Sequence, residues 1–393
     1  MPNNINRLCK RIPSSLVGGE TYDAFVPPAL PPNPPIDMSA LYPLLDQANT
    51  ALGRLDGMSM VLPDAGLLLY MYIRKEAVLS SQIEGTQSSL SDLLLFESNE
   101  APGAPIDDVS EVSCYVAALG FGLERLKELP LSLRLLREIH AKLMSNSRGG
   151  NKTPGEFRTT QNWIGGSRPG TALFVPPPPD RLMETLDAFE RFLHDENVKL
   201  PVLIKAALVH VQFETIHPFL DGNGRLGRLL ITFILCAEGM LKEPLLYLSL
   251  YLKMNRQAYY QHLQSVRLSG DWEEWIKFFL IGVIEVANQA THTARAVISL
   301  FDADRRKIDH SGKSTTTIVA IHHYLQRHPI TTTARIKDAC KVSLPTVLRS
   351  LSTLETLGIV REVSGKQRHK IFVYQEYLNI LNQELGANAA PLQ

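Results

Sequence analysis

The feature that most constrains how this chain can fold is a break between two apolar stretches, reading His217-Pro-Phe-Leu-Asp-Gly-Asn-Gly-Arg-Leu-Gly-Arg228. Before it, Leu203, Ala207, His210 and Phe213 recur at helical spacing, which predicts a helix ending near Ile216. After it, a second helix is predicted from about Arg225 to Glu238, stopped by Gly239. The same period recurs through most of residues 38–285, for example at Leu68, Met71, Tyr72 and Leu79, and at Leu182, Leu186, Phe189 and Leu193. The body is therefore expected to be mainly α-helical, with the break as a loop that opens a helix.

Other segments depart from this period. Residues 27–35 carry six prolines and are expected to run extended as a strap. Residues 159–179 surround Trp163-Ile164 and Leu173-Phe174-Val175 with Gly165-Gly166, Pro169-Gly170 and four consecutive prolines, which predicts a β-hairpin. A charged stretch, Asp302 to Lys313, precedes a different pattern. That pattern predicts helices at 316–327, 333–340 and 345–357, then strands at 359–363 and 370–374 about a Ser364-Gly365 turn. Such an order is a small α+β winged helix, with Ser343 as the expected N-cap of its third helix and Gly358 as its stop. The expected division is an N-terminal helical region 1–110, a core 111–290, a linker 291–312 and the winged helix 313–393, in keeping with roughly 100–200 residues per domain.

Composition adds exclusions. Forty Lys plus Arg balance forty Asp plus Glu, so no bulk field draws the chain to nucleic acid or anionic lipid. Cys9, Cys114, Cys236 and Cys340 lie far apart, without zinc spacing or disulfide density. No apolar run approaches the ~20 residues that span a bilayer. A cytoplasmic protein without a membrane partner is expected.

The break itself carries phosphate-binding chemistry. Gly222 and Gly224 free the backbone so that successive N–H groups can face an anion at the positive end of a helix. Asn223 offers a neutral donor, and Arg225 and Arg228, three apart, can each take a phosphate oxygen. Asp221 is a hard oxygen ligand suited to Mg2+ beside phosphates, and His217 is the nearby group suited to accept a hydroxyl proton near neutral pH. Phosphoryl or nucleotidyl transfer follows as the reaction class. Three other patterns compete. His210, Glu214 and His217 share a helical face and could hold a transition metal, but the apolar stripe around His210 makes it a core histidine. Gly222-x-Gly224-x-x-Gly227 satisfies the dinucleotide fingerprint, yet a helix precedes it where a strand is required. Gly312-Lys313-Ser314 imitates a P-loop end, but Lys307 stands where glycine is needed.

At every fixed position, residues 217–228 match the pattern His-Pro-Phe-x-(Asp/Glu)-Gly-Asn-Gly-Arg-x-x-Arg and so resemble the Fic family. The resemblance implies a Fic-type helical bundle with a flap at 159–179. It implies an enzyme that moves AMP from ATP, with Mg2+, onto a Ser, Thr or Tyr hydroxyl of a target protein, this chain itself included. His217 would be the base and Asp221 the metal ligand, while Gly222, Asn223, Gly224, Arg225, Leu226, Gly227 and Arg228 would line the ATP site. Tyr259 and Tyr260 fall where family members contact adenine, and Trp163, Ile164, Gly165 and Gly166 belong to the flap that holds the target by strand addition. The N-terminal part resembles the domain that precedes Fic in many bacterial members. Ser80-Ser-Gln-Ile-Glu84-Gly85 matches the family's inhibitory pattern, which implies that Glu84 pairs with Arg228 and blocks productive ATP binding. A homodimer is a further expectation. Two other functions compete: an ATP-sensing regulator that binds DNA through 313–393, using Arg349, Lys366, Arg368, His369 and Lys370, and a Fic-fold enzyme that removes AMP or transfers another phosphate-containing group.

Overall fold

A computed structural model describes residues 7–15, 19–61, 65–146, 152–312, 316–365 and 370–383. The chain opens with a hairpin, β1 (Lys10–Ser15) and β2 (Thr21–Val26), paired antiparallel from Lys10 opposite Val26 to Ser15 opposite Thr21. The N-terminal helical region expected over 1–110 thus opens with a strand pair that was not foreseen. The hairpin is held by a distant partner: Phe25 N–H donates to the Val175 carbonyl at 2.9 Å, and its ring stacks on Phe174 at 5.3 Å. The proline-rich stretch then runs without helix or strand, and Gln212 anchors it by donating to the Pro28 carbonyl at 2.7 Å.

Helices build the body: α1 (Tyr42–Val61), α2 (Ala65–Ile83), α3 (Leu90–Glu97), α4 (Ile106–Leu126), α5 (Leu133–Leu143), α6 (Pro179–His194), α7 (Val202–Ile216), α8 (Asn223–Ala237), α9 (Ser249–Met254), α10 (Arg256–Ser269) and α11 (Trp272–His310). From Leu203 to Ile216 every residue of α7 except Lys205 is buried, as an all-round apolar helix must be. It packs on α8, and α4, α6, α10 and α11 close around the pair. Of the expected flap hairpin only one bridge forms, Ile164 opposite Phe174, because prolines 176–179 carry no N–H to extend a ladder.

Two expected boundaries fall inside helices. Residues 110 and 111 lie within α4. The linker 291–312 is largely the second half of α11, where Thr291, Ala294, Val297, Asp304 and Ile308 continue a buried face. Charge misled here: Arg305 pairs with Asp309 at 3.1 Å on the solvent side, an i,i+4 contact that supports a helix.

The C-terminal unit comprises α12 (Thr316–Arg327), β3 (Ile330–Thr332), α13 (Thr333–Cys340), α14 (Leu344–Thr356), β4 (Arg361–Glu362), β5 (Ile371–Val373) and α15 (Gln375–Asn382), with an antiparallel sheet in the order β3-β5-β4. The three expected helices and two expected strands are joined by a third strand, β3, and a closing helix, α15. Ser343 occupies the N-cap position, but its hydroxyl bonds Thr346 Oγ1 at 2.8 Å and caps no backbone N–H. The unit shares a hydrophobic core with Leu68 and Met71 of α2 and Leu90, Leu94 and Leu95 of α3.

Candidate active site

Helix α7 stops because Pro218 disfavours the α conformation for the residue before it. His217 takes the left-handed region, φ 49° and ψ 60°, with its N–H donating to the Phe213 carbonyl at 2.9 Å. Strain of this kind costs on the order of 1–3 kcal/mol and persists only where surroundings enforce it. Here Arg158 Nε and Asn162 Nδ2 donate to the His217 carbonyl at 3.0 and 3.2 Å. The ring keeps 20% exposure and lines a cleft of about 360 Å³, while its Nδ1 is buried. Burial, then Arg267 and Arg158, pull its pKa down to about 4, so the imidazole is neutral and able to take a proton at pH 7.

The following loop is fixed by Asn223. Its buried amide accepts from the Phe219 N–H at 2.9 Å and donates to the Phe219 carbonyl at 2.8 Å. That side chain, expected as a donor to phosphate, thus spends its oxygen and one of its two N–H donors on the loop itself, while the residue still lines the cleft. His140 stacks on Phe219 at 3.7 Å, contacts the Asp221 carbonyl through Nε2 at 2.9 Å, and accepts from Gly155 N–H through Nδ1 at 2.8 Å. No sequence signal pointed to His140, Arg158 or Asn162, which brace the loop from α5 and from the base of the flap.

Asp221 faces the cleft, with Oδ1 accepting from Gly222 N–H at 2.7 Å and Oδ2 3.0 Å from Lys152 Nζ. Burial raises its carboxyl pKa, but Lys152, the Gly222 N–H and Arg225 outweigh burial and hold it below the ordinary value. An ionised single carboxylate fits Mg2+, which takes one or two protein carboxylates and leaves its other positions to water and phosphate oxygens. Among the described residues no group of three or more His, Cys, Asp or Glu is placed to hold a metal alone.

The two arginines diverge. Arg225 lines the cleft and is held by Glu111 of α4 at 3.2 Å. Arg228 turns to the end of α2, donating to Ser80 Oγ at 2.8 Å, to the Ser80 carbonyl at 2.9 Å and to Glu84 Oε1 at 2.7 Å. Glu84 and Gly85 form the facing wall of the cleft, and a Cβ built on Gly224 would stand 2.2 Å from Glu84 Oε1. Glycine at 224 is thus what lets the carboxylate reach the guanidinium over the start of α8.

Three expected ATP contacts lie elsewhere. Leu226 is in the core, and Gly227 abuts Glu214 and Phe213 on the side away from the cleft, because positions 226 and 227 face α7 once 225 and 228 face α4 and α2. Tyr259 is buried, and its hydroxyl lies 2.9 Å from Nε2 of His210, whose Nδ1 lies 2.9 Å from the Gly227 carbonyl. His210 is therefore a satisfied core residue. Tyr260 keeps 39% exposure beneath Arg256, and Trp163 keeps 38%. Gly165 and Gly166 turn the flap at φ 70° and 73°.

Two family models account for this arrangement: Fic/DOC family N-terminal over residues 42–124 and Fic/DOC family over 130–235. The chain carries both of these Fic/DOC domains. Protein adenylyltransferase Fic of Aedes aegypti is 31% identical over 242 residues, which is 60% of this chain and 44% of that one. The protein of the same name from Culex quinquefasciatus is 32% identical over 204 residues, 50% of this chain and 37% of that one. The Fic/DOC chain spans less than half the length of these curated relatives. Among solved structures, a Fic family protein from Desulfovibrio desulfuricans superposes with TM-score 0.53 at 19% identity, over 84% of this chain and 96% of that one. Fic-1 from C. elegans, residues 134–508, gives 0.50 at 23% identity, over 67% and 74%. Both share the fold.

Proposed function

We propose that this Fic/DOC protein is a protein adenylyltransferase that moves AMP from ATP to a Ser, Thr or Tyr hydroxyl of a protein, and that Glu84 restrains it. The observation that carries the reading is the convergence of His217, Asp221, Arg225 and the N-terminus of α8 on one cleft. It is supported by the name protein adenylyltransferase Fic that the relatives carry. His217 takes the proton of the target hydroxyl, whose oxygen bonds the α-phosphorus as the bond to the leaving pyrophosphate breaks. Backbone N–H groups of residues 222–224 and the Arg225 guanidinium hold the phosphates. Asp221 would hold Mg2+, which would supply positive charge to offset that of the phosphates. Arg228 would complete the grip on the phosphate chain, but its guanidinium is committed to Ser80 and Glu84. The flap would present the target segment, a reading supported by its tie to the His217 carbonyl through Asn162.

Among the described residues no helix is long and apolar enough to cross a membrane. We place the protein in the cytoplasm on the ground that its four cysteines are free thiols, as a reducing compartment keeps them. DNA binding by the C-terminal unit is the weaker reading. On α14, Leu344 and Leu348 are 43% and 41% exposed beside Arg349, an apolar face ill suited to phosphates, while Lys366, Arg368 and His369 lie outside the described residues. Incubation with α-labelled ATP and Mg2+ tests the main reading: label should reach protein, rise in Glu84→Gly and vanish in His217→Ala. Equal labelling of the three proteins would end it.

A further inference from the structure

Glu214 lies three residues before His217 on α7, with 7% of its side chain exposed. Its Oε1 is buried without a hydrogen-bond partner, as is Nδ1 of His217, and Glu214 Oε2 stands 4.0 Å from that Nδ1. Buried polar atoms are nearly always satisfied, so an unpartnered Nδ1 with a carboxylate oxygen one short movement away, on a group whose other oxygen is itself unpartnered, calls for a reason. The space around the carboxylate is built for it: a Cβ on Gly227 would lie 2.4 Å from Oε1. The motif's Gly227, which touches no part of the cleft, thereby acquires a role as the seat of Glu214.

The charges around the pair come from several elements. Glu214 is faced by Arg228 of α8, by Glu84 after α2 and by Arg267 of α10; His217 is faced by Arg267, Arg158 and Glu84. Burial pushes the Glu214 carboxyl up to about 7, with Arg228 opposing and Glu84 reinforcing the shift. Two groups of opposite tendency sit side by side: a carboxyl that gives up its proton with difficulty and an imidazole that gains one with difficulty. A proton arriving on the imidazole changes the balance for both.

We propose that Glu214 is the positioning residue for His217, accepting the Nδ1–H hydrogen bond so that the cleft-facing Nε2 carries the lone pair and the imidazolium formed during transfer is stabilised. The step balances: the hydroxyl proton moves to Nε2, the Nδ1 proton stays on the ring, and the carboxylate remains an acceptor. This inference rests on the adenylyl-transfer reading above, and it gives the carboxylate a part in that reaction that core packing alone would not.

The test uses the full chain carrying Glu84→Gly, with and without Glu214→Leu or Glu214→Gln. Leucine fills similar volume without an acceptor, glutamine keeps the shape without the charge, and thermal melts confirm folding. With Glu214→Leu, kcat is expected to fall about 100-fold with KM for ATP within about twofold, and the acidic limb of the pH–rate profile to move to lower pH. Nitrogen-15 NMR of the nucleotide-free protein, with His217 assigned by difference from His217→Ala, should show the Nδ1–H tautomer with Glu214 present and a shift towards Nε2–H without it. Unchanged kcat, pH limb and tautomer in both variants would overturn the proposal. If Glu84→Gly alone transfers no AMP, the transfer reading falls, and the tautomer measurement still decides whether Glu214 orients His217.

Discussion

Replacing Glu84 with glutamine takes the carboxylate away from a guanidinium that is itself enclosed: the Arg228 side chain keeps 2% exposure, that of Glu84 38%. Breaking a fully buried ion pair by removing one partner costs on the order of 3–5 kcal/mol, whereas an exposed pair is worth about 0–1 kcal/mol. This pair is buried at one end and open at the other, and Ser80 leaves two acceptors on the guanidinium, so about 1–2 kcal/mol should be lost. In a body of this size that corresponds to a fall in Tm of about 2–4 °C. ATP with Mg2+ should then act unequally. In the variant a phosphate can replace the missing anion, and a ligand at 100 times its Kd stabilises by about 2.7 kcal/mol, enough to recover the loss. In the wild type the nucleotide must compete with Glu84 for Arg228 and gains less. Calorimetric or fluorimetric melts with and without ATP·Mg2+ read both effects. A variant as stable as the wild type without nucleotide would show that Arg228 does not depend on Glu84. An equal gain from ATP in both proteins would show that Glu84 and nucleotide do not compete.

Tyr259→Phe removes the only hydroxyl seen on Nε2 of His210 and should cost about 1–3 kcal/mol, with KM for ATP unchanged; a raised KM with unchanged Tm would return Tyr259 to the nucleotide site. The Glu76 carboxyl, enclosed near Tyr115 and Ser249, is pushed by burial from 4.5 up to about 7, despite the bonds from Ser249 and Tyr115 that favour the charged form. A raised acid pKa contributes stability that is full below pH 4.5 and lost as pH rises through 7, so wild-type Tm should fall relative to Glu76→Gln across that window. The Glu214 shift has the same sign but is common to both proteins and cancels in the difference; parallel Tm profiles would refute the assignment to Glu76.

The site's framework was legible because the features that make it are local. An apolar run, a proline, two glycines and a second apolar run specify helix, loop and helix, and α7 and α8 begin and end within two residues of expectation. The helices α12 and α13 were read to their ends for the same reason, by period and punctuation. Elements whose partners are remote were not: β1 and β2 depend on Val175 and Phe174, and β3 on β5, and nothing in their own residues reveals those neighbours. Side-chain direction was lost in a similar way. Spacing put Arg225 and Arg228 on adjacent turns, but which carboxylate draws each one, Glu111 or Glu84, is set by where α4 and α2 lie. For Asn223, Leu226, Gly227 and Tyr259 the motif told which residues matter and left open which of them touch nucleotide and which hold the loop that does.

The same distinction bears on how the proposed restraint by Glu84 could be lifted. Helix α2 is gripped at both ends. Leu68 and Met71 sit in the core shared with the C-terminal unit, and Arg74 pairs with Glu97, whose backbone carbonyl accepts from Arg335. Sliding α2 as a rigid rod to free Arg228 would disturb all of those contacts, because a helix transmits axial displacement along its length. The turn that follows it is tied more lightly: Glu84 and Gly85 N–H donate only to Ser81 and Gln82, and Arg256 holds the Ile83 carbonyl at 3.1 Å. With Gly85 at φ 103°, that turn is already where the backbone leaves helical geometry. Release by local opening of residues 84–86 breaks few bonds and leaves Ile83 in the core, whereas release by movement of the whole helix requires the C-terminal unit to move with it.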